Sequence, residues 1–240
     1  MNYSAWSVPA PEERRSPAKI ARMFDAVAPR YDAMNALLSF GQDAHWRRAT
    51  ADALAVRPGE RVLDVAAGTG TSARPLVGAG AEVWAVDRSE GMVQIGCRNA
   101  PSAGFVVADA ARLPFADETF DVVTVSFGLR NMASPQVALR EFARVTRPGG
   151  RIVVCEFSTP RHPWLRAAHG MYLNRVMPLV ARLSTHPLSY GYLAATIADW
   201  PRPGVIAQMM RTAGWRDVSF RRLTGGIVAL HRGWRPLETD

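Results

Sequence analysis

The chain has 240 residues, 48% of them hydrophobic and 21% charged, with 2 cysteines and a formal net charge of +8. That length suits one domain carrying an elaboration, and it is long enough to bury a sizeable core. Two cysteines without Cys-x-x-Cys or Cys/His ligand spacing exclude a disulfide scaffold and a zinc site and point to a reducing compartment, with Cys97 and Cys155 expected as buried small hydrophobes.

Of the 29 basic residues all but Lys19 are arginine, a compositional bias that by itself says nothing about nucleic acid. Position is more telling: residues 1–56 carry a net +1, residues 57–160 are neutral, and residues 161–240 carry +7. The surplus therefore has to be explained in the last third.

Residues 1–17 lack an apolar core and contain Glu12 and Glu13, so they read as a disordered lead-in, neither a signal nor a transit peptide. No run reaches the roughly 18 apolar residues of a membrane span. A soluble, cytoplasmic chain is expected, at most a binder of the membrane surface.

From residue 18 to 56 the apolar residues Ile20, Met23, Phe24, Val27, Leu37, Leu38, Phe40 and Trp46 fall mainly at helical spacing, which predicts a cap of two or three short helices. The period then changes. Arg61–Val65, Glu82–Asp87, Phe105–Ala108, Asp121–Ser126 and Arg151–Phe157 read as strands with helical patterns between them, for example Val137–Val145. Such alternation predicts a doubly wound, mainly parallel sheet with right-handed crossovers. A tight turn is expected at Arg147-Pro148-Gly149-Gly150, before the fifth strand. Residues 160–202 break the pattern as an aromatic- and Pro-rich insertion. A helix near Pro203–Ala213 follows, then two extended runs, Trp215–Leu223 and Ile227–Gly233, paired like a hairpin at the sheet edge around Thr224-Gly225-Gly226. The single domain spans 18–236, with a tail at 237–240.

Asp64-Val65-Ala66-Ala67-Gly68-Thr69-Gly70 ends the first strand and opens a helix, a place where glycine lets backbone approach a ligand closely. Asp87, at the end of the second strand, can accept hydrogen bonds from both hydroxyls of a ribose. Asp109 ends the third strand, where it can accept from an adenine amine. Gly68-x-Gly70-x-x-Ala73 also fits a dinucleotide fingerprint, so a nicotinamide oxidoreductase is the alternative on this loop alone. A nicotinamide dinucleotide needs a pyrophosphate cradle, whereas S-adenosylmethionine has no phosphate and is cationic at sulfur. The carboxylates Asp64, Asp87 and Asp109 at successive strand ends suit the latter.

Gly68-Thr69-Gly70, Asp87, Asp109-Ala110 and Arg147-Pro148-Gly149-Gly150 resemble the class I S-adenosylmethionine-dependent methyltransferases, a Rossmann-like fold. Tyr31-Asp32-Ala33-Met34-Asn35, Ser39-Phe40-Gly41, Leu113-Pro114-Phe115, Ser126-Phe127-Gly128-Leu129-Arg130-Asn131, Cys155-Glu156-Phe157-Ser158 and Leu223-Thr224-Gly225-Gly226-Ile227 resemble the ubiquinone/menaquinone biosynthesis C-methyltransferase family over about residues 18–236. Thr146-Arg147 stands where a Leu-Lys pair is more usual. The resemblance implies a seven-stranded α/β sheet and S-adenosylmethionine as cofactor. It implies contacts from Gly68, Thr69, Asp87, Asp109, Ala110 and Ser126, and a polyprenylated quinol as substrate. That substrate is demethylmenaquinol on the first reading and the ubiquinone precursor on the second, with another small-molecule methyltransferase as the third. Homodimerisation is left open, and no nucleic-acid partner is expected, because the central domain is neutral.

C-methylation requires an electron-rich ring, hence loss of a phenolic proton and a donor that favours the oxyanion. Arg130, just after the fourth strand, is the candidate, with an ordered water taking the proton and Asn131 orienting the same group. Its bland alternative is a surface arginine paired to a carboxylate. Tyr31 and Asp32 could simply cap a helix, and His231 reads as a satisfied sheet histidine. In the insertion, Ala168, Met171, Tyr172, Val176, Leu179, Val180 and Leu183 form a stripe at helical spacing flanked by Arg175 and Arg182, with Pro178 expected to kink or split it. Such a stripe is either core-packed or turned to lipid and anionic headgroups.

Overall fold

Alternate residues of the central strands are buried on opposite faces, as a sheet covered on both sides demands. Leu63, Val65, Val123, Val125, Ile152 and Val154 join one core, with Leu139, Phe142, Ile206, Met210 and Trp215. Val62, Val122, Val153 and Cys155 join the other, with Trp46, Leu54 and Leu76. The structure, a computed structural model, describes residues 16–177 and 187–237.

The chain enters through α1 (Pro17–Val27), a 3₁₀ turn, α2 (Tyr31–Leu38) and α3 (Gln42–Leu54). Then β1 (Arg61–Val65), α4 (Ala73–Gly78), β2 (Glu82–Asp87), α5 (Glu90–Asn99), β3 (Gly104–Val107), β4 (Phe120–Ser126), α6 (Pro135–Val145) and β5 (Thr146–Phe157) alternate. The insertion holds α7 (Pro163–Met171), a π-helical turn at Tyr172–Val176, and α8 (Pro187–Ala198). It is followed by α9 (Pro203–Thr212), β6 (Arg216–Leu223) and β7 (Val228–Trp234). The seven strands lie in the order β3-β2-β1-β4-β5-β7-β6. All neighbours are parallel except β7, which runs antiparallel to both β5 and β6. The order reverses between β1 and β4, which puts the ligand crevice at their carboxyl ends. No helix of the described residues is long and apolar enough to cross a membrane.

Two expectations are corrected. The Pro148-Gly149-Gly150 turn lies inside β5, as an irregularity in its pairing with β4. A Cβ at Gly150 would stand 2.8 Å from the Arg147 carbonyl oxygen and 2.9 Å from that of Asp121, so only glycine fits there. Cys155 is buried, but Cys97, on the outer side of α5, is exposed. Of the stripe of the insertion, Ala168, Met171 and Val176 are exposed and Tyr172 is half-buried, the outward of its two arrangements, whereas Leu173 and Met177, outside the stripe, are buried against Ile197. The π-helical turn shifts the register there by widening the helix. Pro178, Leu179, Val180, Arg182 and Leu183 lie outside the described residues, as does most of the lead-in.

Candidate active site

Two cavities open at the carboxyl end of the sheet. The smaller, about 210 Å³, is bounded by the ends of β1, β2, β3 and β4 and roofed by Pro17, Ile20, Ala21 and Phe24 of α1. The larger, about 810 Å³, lies among α1 to α3, the β4 and β5 ends and the insertion. Phe24, Tyr31 and Phe127 line both.

In the small cavity, Gly68 has φ +57°, and a Cβ there would stand 3.9 Å from Tyr31 Cε1 and 4.0 Å from Met92 Sδ. The Gly68 N–H donates to Asp87 Oδ2 at 2.9 Å, and the Ser89 N–H donates to Asp87 Oδ1 at 2.9 Å. Burial raises the Asp87 pKa above the usual carboxylate range, and these N–H donors oppose the rise. Asp109, Ala110 and Ser126 line the same cavity. Asp109 is exposed; it pairs with Arg88 and accepts from the Ala111 N–H at 2.9 Å, so part of its work is to shape its own turn. Thr69 is the expected contact that the cavity does not include. Its buried hydroxyl donates to the Asp32 carboxylate, 2.8 and 2.9 Å from its two oxygens. Asp32 is thus a tie between α2 and the glycine loop, and does not cap its helix.

Asp64 is buried behind the loop, with Oδ2 lacking a hydrogen-bond partner among the described residues. Burial first, and the nearby Asp87 charge second, push its pKa up to about 7.

Arg130 and Asn131 sit in a 3₁₀ turn after β4, Arg130 lining the large cavity and Asn131 the small one. Arg130 is only 5% exposed, and its charge is not free. Nη1 donates to Glu156 Oε1 at 2.7 Å and also to the Phe127 carbonyl oxygen, and the guanidinium lies 4.9 Å from the Phe157 ring centroid. Arg130 is thus paired to a carboxylate, as in the alternative, but the pair is buried at the cavity wall and does not lie on the surface. Phe127 takes φ +56°, a strained value for a non-glycine residue, and its N–H donates to the Cys155 carbonyl at 2.8 Å. Gly128 follows, where a Cβ would come 2.3 Å from Ala66 Cβ.

Tyr31 stands between the cavities. Burial raises its phenol pKa, while a hydrogen bond with Asn35 and the Arg130 charge oppose the rise. His231 is buried far from this junction, with Nε2 3.0 Å from the Pro203 carbonyl oxygen. Glu156, Phe24 and Tyr192 escaped the sequence reading as site residues. For Glu156 a signal existed: one acid in the apolar run Val153-Val154-Cys155-Glu156-Phe157.

Residues 12–235 match the model of the ubiE/COQ5 methyltransferase family. The chain belongs to this family. A relative from Beutenbergia cavernae, named demethylmenaquinone methyltransferase, is 53% identical over 97% of both chains. One of the same name from Mycobacterium tuberculosis is 53% identical over 92% of this chain and 94% of its own. Among solved structures, the [4+2]-cyclase SpnF superposes with a TM-score of 0.68 at 17% identity, covering 91% of this chain and 96% of its own. A Haemonchus contortus phosphoethanolamine N-methyltransferase in complex with S-adenosylhomocysteine gives 0.61 at 14%, covering 80% and 52%. These likenesses establish for the ubiE/COQ5 chain a class I methyltransferase fold.

Proposed function

We propose that this ubiE/COQ5-family chain transfers a methyl group from S-adenosylmethionine to a ring carbon of demethylmenaquinol, giving menaquinol. The observation that carries the reading is the junction: a small carboxylate-bearing cavity and a large apolar one share Phe24, Tyr31 and Phe127 as a common wall. A methyl donor and a bulky apolar acceptor have to meet across such a wall. The name carried by relatives at 53% identity favours demethylmenaquinol over the ubiquinone precursor.

The small cavity fits S-adenosylmethionine. Gly68 leaves open the space that a Cβ would fill, Asp87 offers a carboxylate to ribose hydroxyls, and Val65, Met92 and Val137 offer apolar surface to an adenine. Gly68, Asp87, Asp109, Ala110 and Ser126 would hold the group, with Thr69 supporting the loop through Asp32. When bound, it supplies an electrophilic methyl on a cationic sulfur.

The chain's own contribution is positioning and oxyanion stabilisation. Because Glu156 balances Arg130, the guanidinium acts as an oriented N–H donor to the ring oxygen and not as a free charge. Tyr31, kept protonated by burial, is a second donor at the same wall. Asn131 helps orient the same group, and an ordered water takes the phenolic proton. Closure by α1 and the insertion keeps bulk water from the reacting centre.

Phe40 of the larger cavity's lining is exposed, as are Leu37, Trp164 and Met171, which neighbour the lining residues Leu38, Leu165 and Tyr172 in sequence, and exposed Arg161, Arg166 and Arg175 fall in or beside the same α7 and π-helical segment. Apolar side chains edged by arginine support a peripheral contact with an anionic inner membrane surface, where a polyprenyl tail remains in the bilayer. Equilibrium dialysis tests the donor site: S-adenosylhomocysteine is expected to bind and NAD not to, and the reverse would replace this reading with an oxidoreductase.

A further inference from the structure

The roof of the large cavity reaches through the wall to the small one. Leu193, Ala194 and Ile197 of α8 pack with Leu173, Met177 and Met34, which sets α8 over the larger cavity. Beside Leu193 on that helix, Tyr192 also lines the larger cavity, and its hydroxyl donates to Asn131 Oδ1 at 3.1 Å. Asn131 belongs to the smaller cavity, and its Nδ2 lies 3.4 Å from the Phe127 carbonyl oxygen, the same atom that accepts from Arg130. The Tyr192 hydroxyl therefore fixes which way the Asn131 amide faces. With Oδ1 held by a donor, the NH₂ end is left for the Phe127 carbonyl.

We propose that Tyr192 is the positioning residue of the transfer loop: by donating to Asn131 it locks residues 127–131 only when α8 is seated over the acceptor cavity. Loop order is thereby tied to roof closure, so the donor and acceptor sites are completed together. The proposal rests on reading the two cavities as donor and quinol sites.

The test is a double-mutant cycle with Tyr192→Phe and Asn131→Ala, assayed for methyl transfer to a reduced short-chain demethylmenaquinone. Tyr192→Phe keeps the ring and removes the hydroxyl that donates to Asn131, so kcat is expected to fall about five- to ten-fold. The quinol KM should stay within about two-fold, S-adenosylhomocysteine affinity should weaken by no more than the same factor as kcat, because Phe127, Gly128 and Asn131 line the donor cavity, and a thermal midpoint near wild type shows that the variant is folded. In the Asn131→Ala background, Tyr192→Phe should have no further effect on kcat. Additive losses, or wild-type kcat in Tyr192→Phe beside an impaired Asn131→Ala, would overturn the proposal alone. Wild-type kcat in Asn131→Ala would remove it together with the site reading beneath it.

Discussion

Arg130 Nη1 and Glu156 Oε1 are 2.7 Å apart, with side chains only 5% and 1% exposed. An ion pair so deep is maintained by its geometry: Glu156 Oε1 also accepts from the Phe157 N–H at 2.8 Å, and Oε2 accepts from the Arg130 N–H at 3.3 Å. Truncating Glu156 to alanine would leave a guanidinium without its counter-charge, at a cost on the order of 3–5 kcal/mol. Urea melts of Glu156→Ala against wild type measure it, and an unchanged midpoint would contradict the account.

Arg130→Ala removes the donor proposed for the ring oxygen and should lower kcat on the order of a hundred-fold or more, the scale of a lost oxyanion donor. S-adenosylhomocysteine affinity should stay near wild type, because Arg130 lines only the acceptor cavity. Wild-type turnover in this variant would remove Arg130 from the mechanism.

Asp87 controls donor affinity in a pH-dependent way. Its folded pKa is raised by burial, so lowering pH protonates the carboxylate sooner than in an ordinary aspartate and removes a ribose acceptor. S-adenosylhomocysteine binding by calorimetry should therefore weaken toward acid in wild type. In Asp87→Asn it should be weaker by about ten- to a hundred-fold at neutral pH and should lose most of that pH dependence. Equal slopes in the two proteins would contradict this.

Asp64 should make the fold less stable as pH rises. With an ordinary value of 3.8 and a folded value of about 7, it favours the folded state fully below pH 3.8 and loses that contribution as pH rises through about 7. The change is on the order of 4 kcal/mol. Asp64→Asn should gain stability relative to wild type between pH 5 and 8, and a difference independent of pH would refute the assignment. Thr124, its register partner on β4, likewise has a buried hydroxyl without a hydrogen-bond partner among the described residues.

Gly128→Ala should be destabilising by about 1–3 kcal/mol, because the new Cβ meets the Ala66 Cβ at 2.3 Å and both residues are fixed by the strand ends. It should also weaken donor binding, since Ala66 and Gly128 line the small cavity. Thermal melts with and without S-adenosylhomocysteine separate the two effects.

The strands were legible in the sequence because burial on both faces produces short apolar runs that end in glycine or aspartate, as at Val62–Asp64 and Val83–Asp87. Asp87 could be placed at a strand end for the same reason, whereas Asp64 lies inside β1 and does not line the small cavity. The direction of side chains in irregular segments was not legible. The insertion's inner face depends on a π-helical turn that shifts the spacing, and Thr69 turns to Asp32, 37 residues earlier in the chain. Glu156 and Tyr192 belong to the site through contacts 26 and 61 residues distant, which no local period encodes.

The most direct test uses S-adenosylmethionine carrying an isotopically labelled methyl group, purified chain, and a reduced short-chain demethylmenaquinone, with the product examined by mass spectrometry and NMR. The account predicts one labelled methyl on the vacant ring carbon of the naphthoquinol, giving a menaquinol. Label on a ring oxygen, or no transfer by a protein that binds S-adenosylhomocysteine, would contradict it.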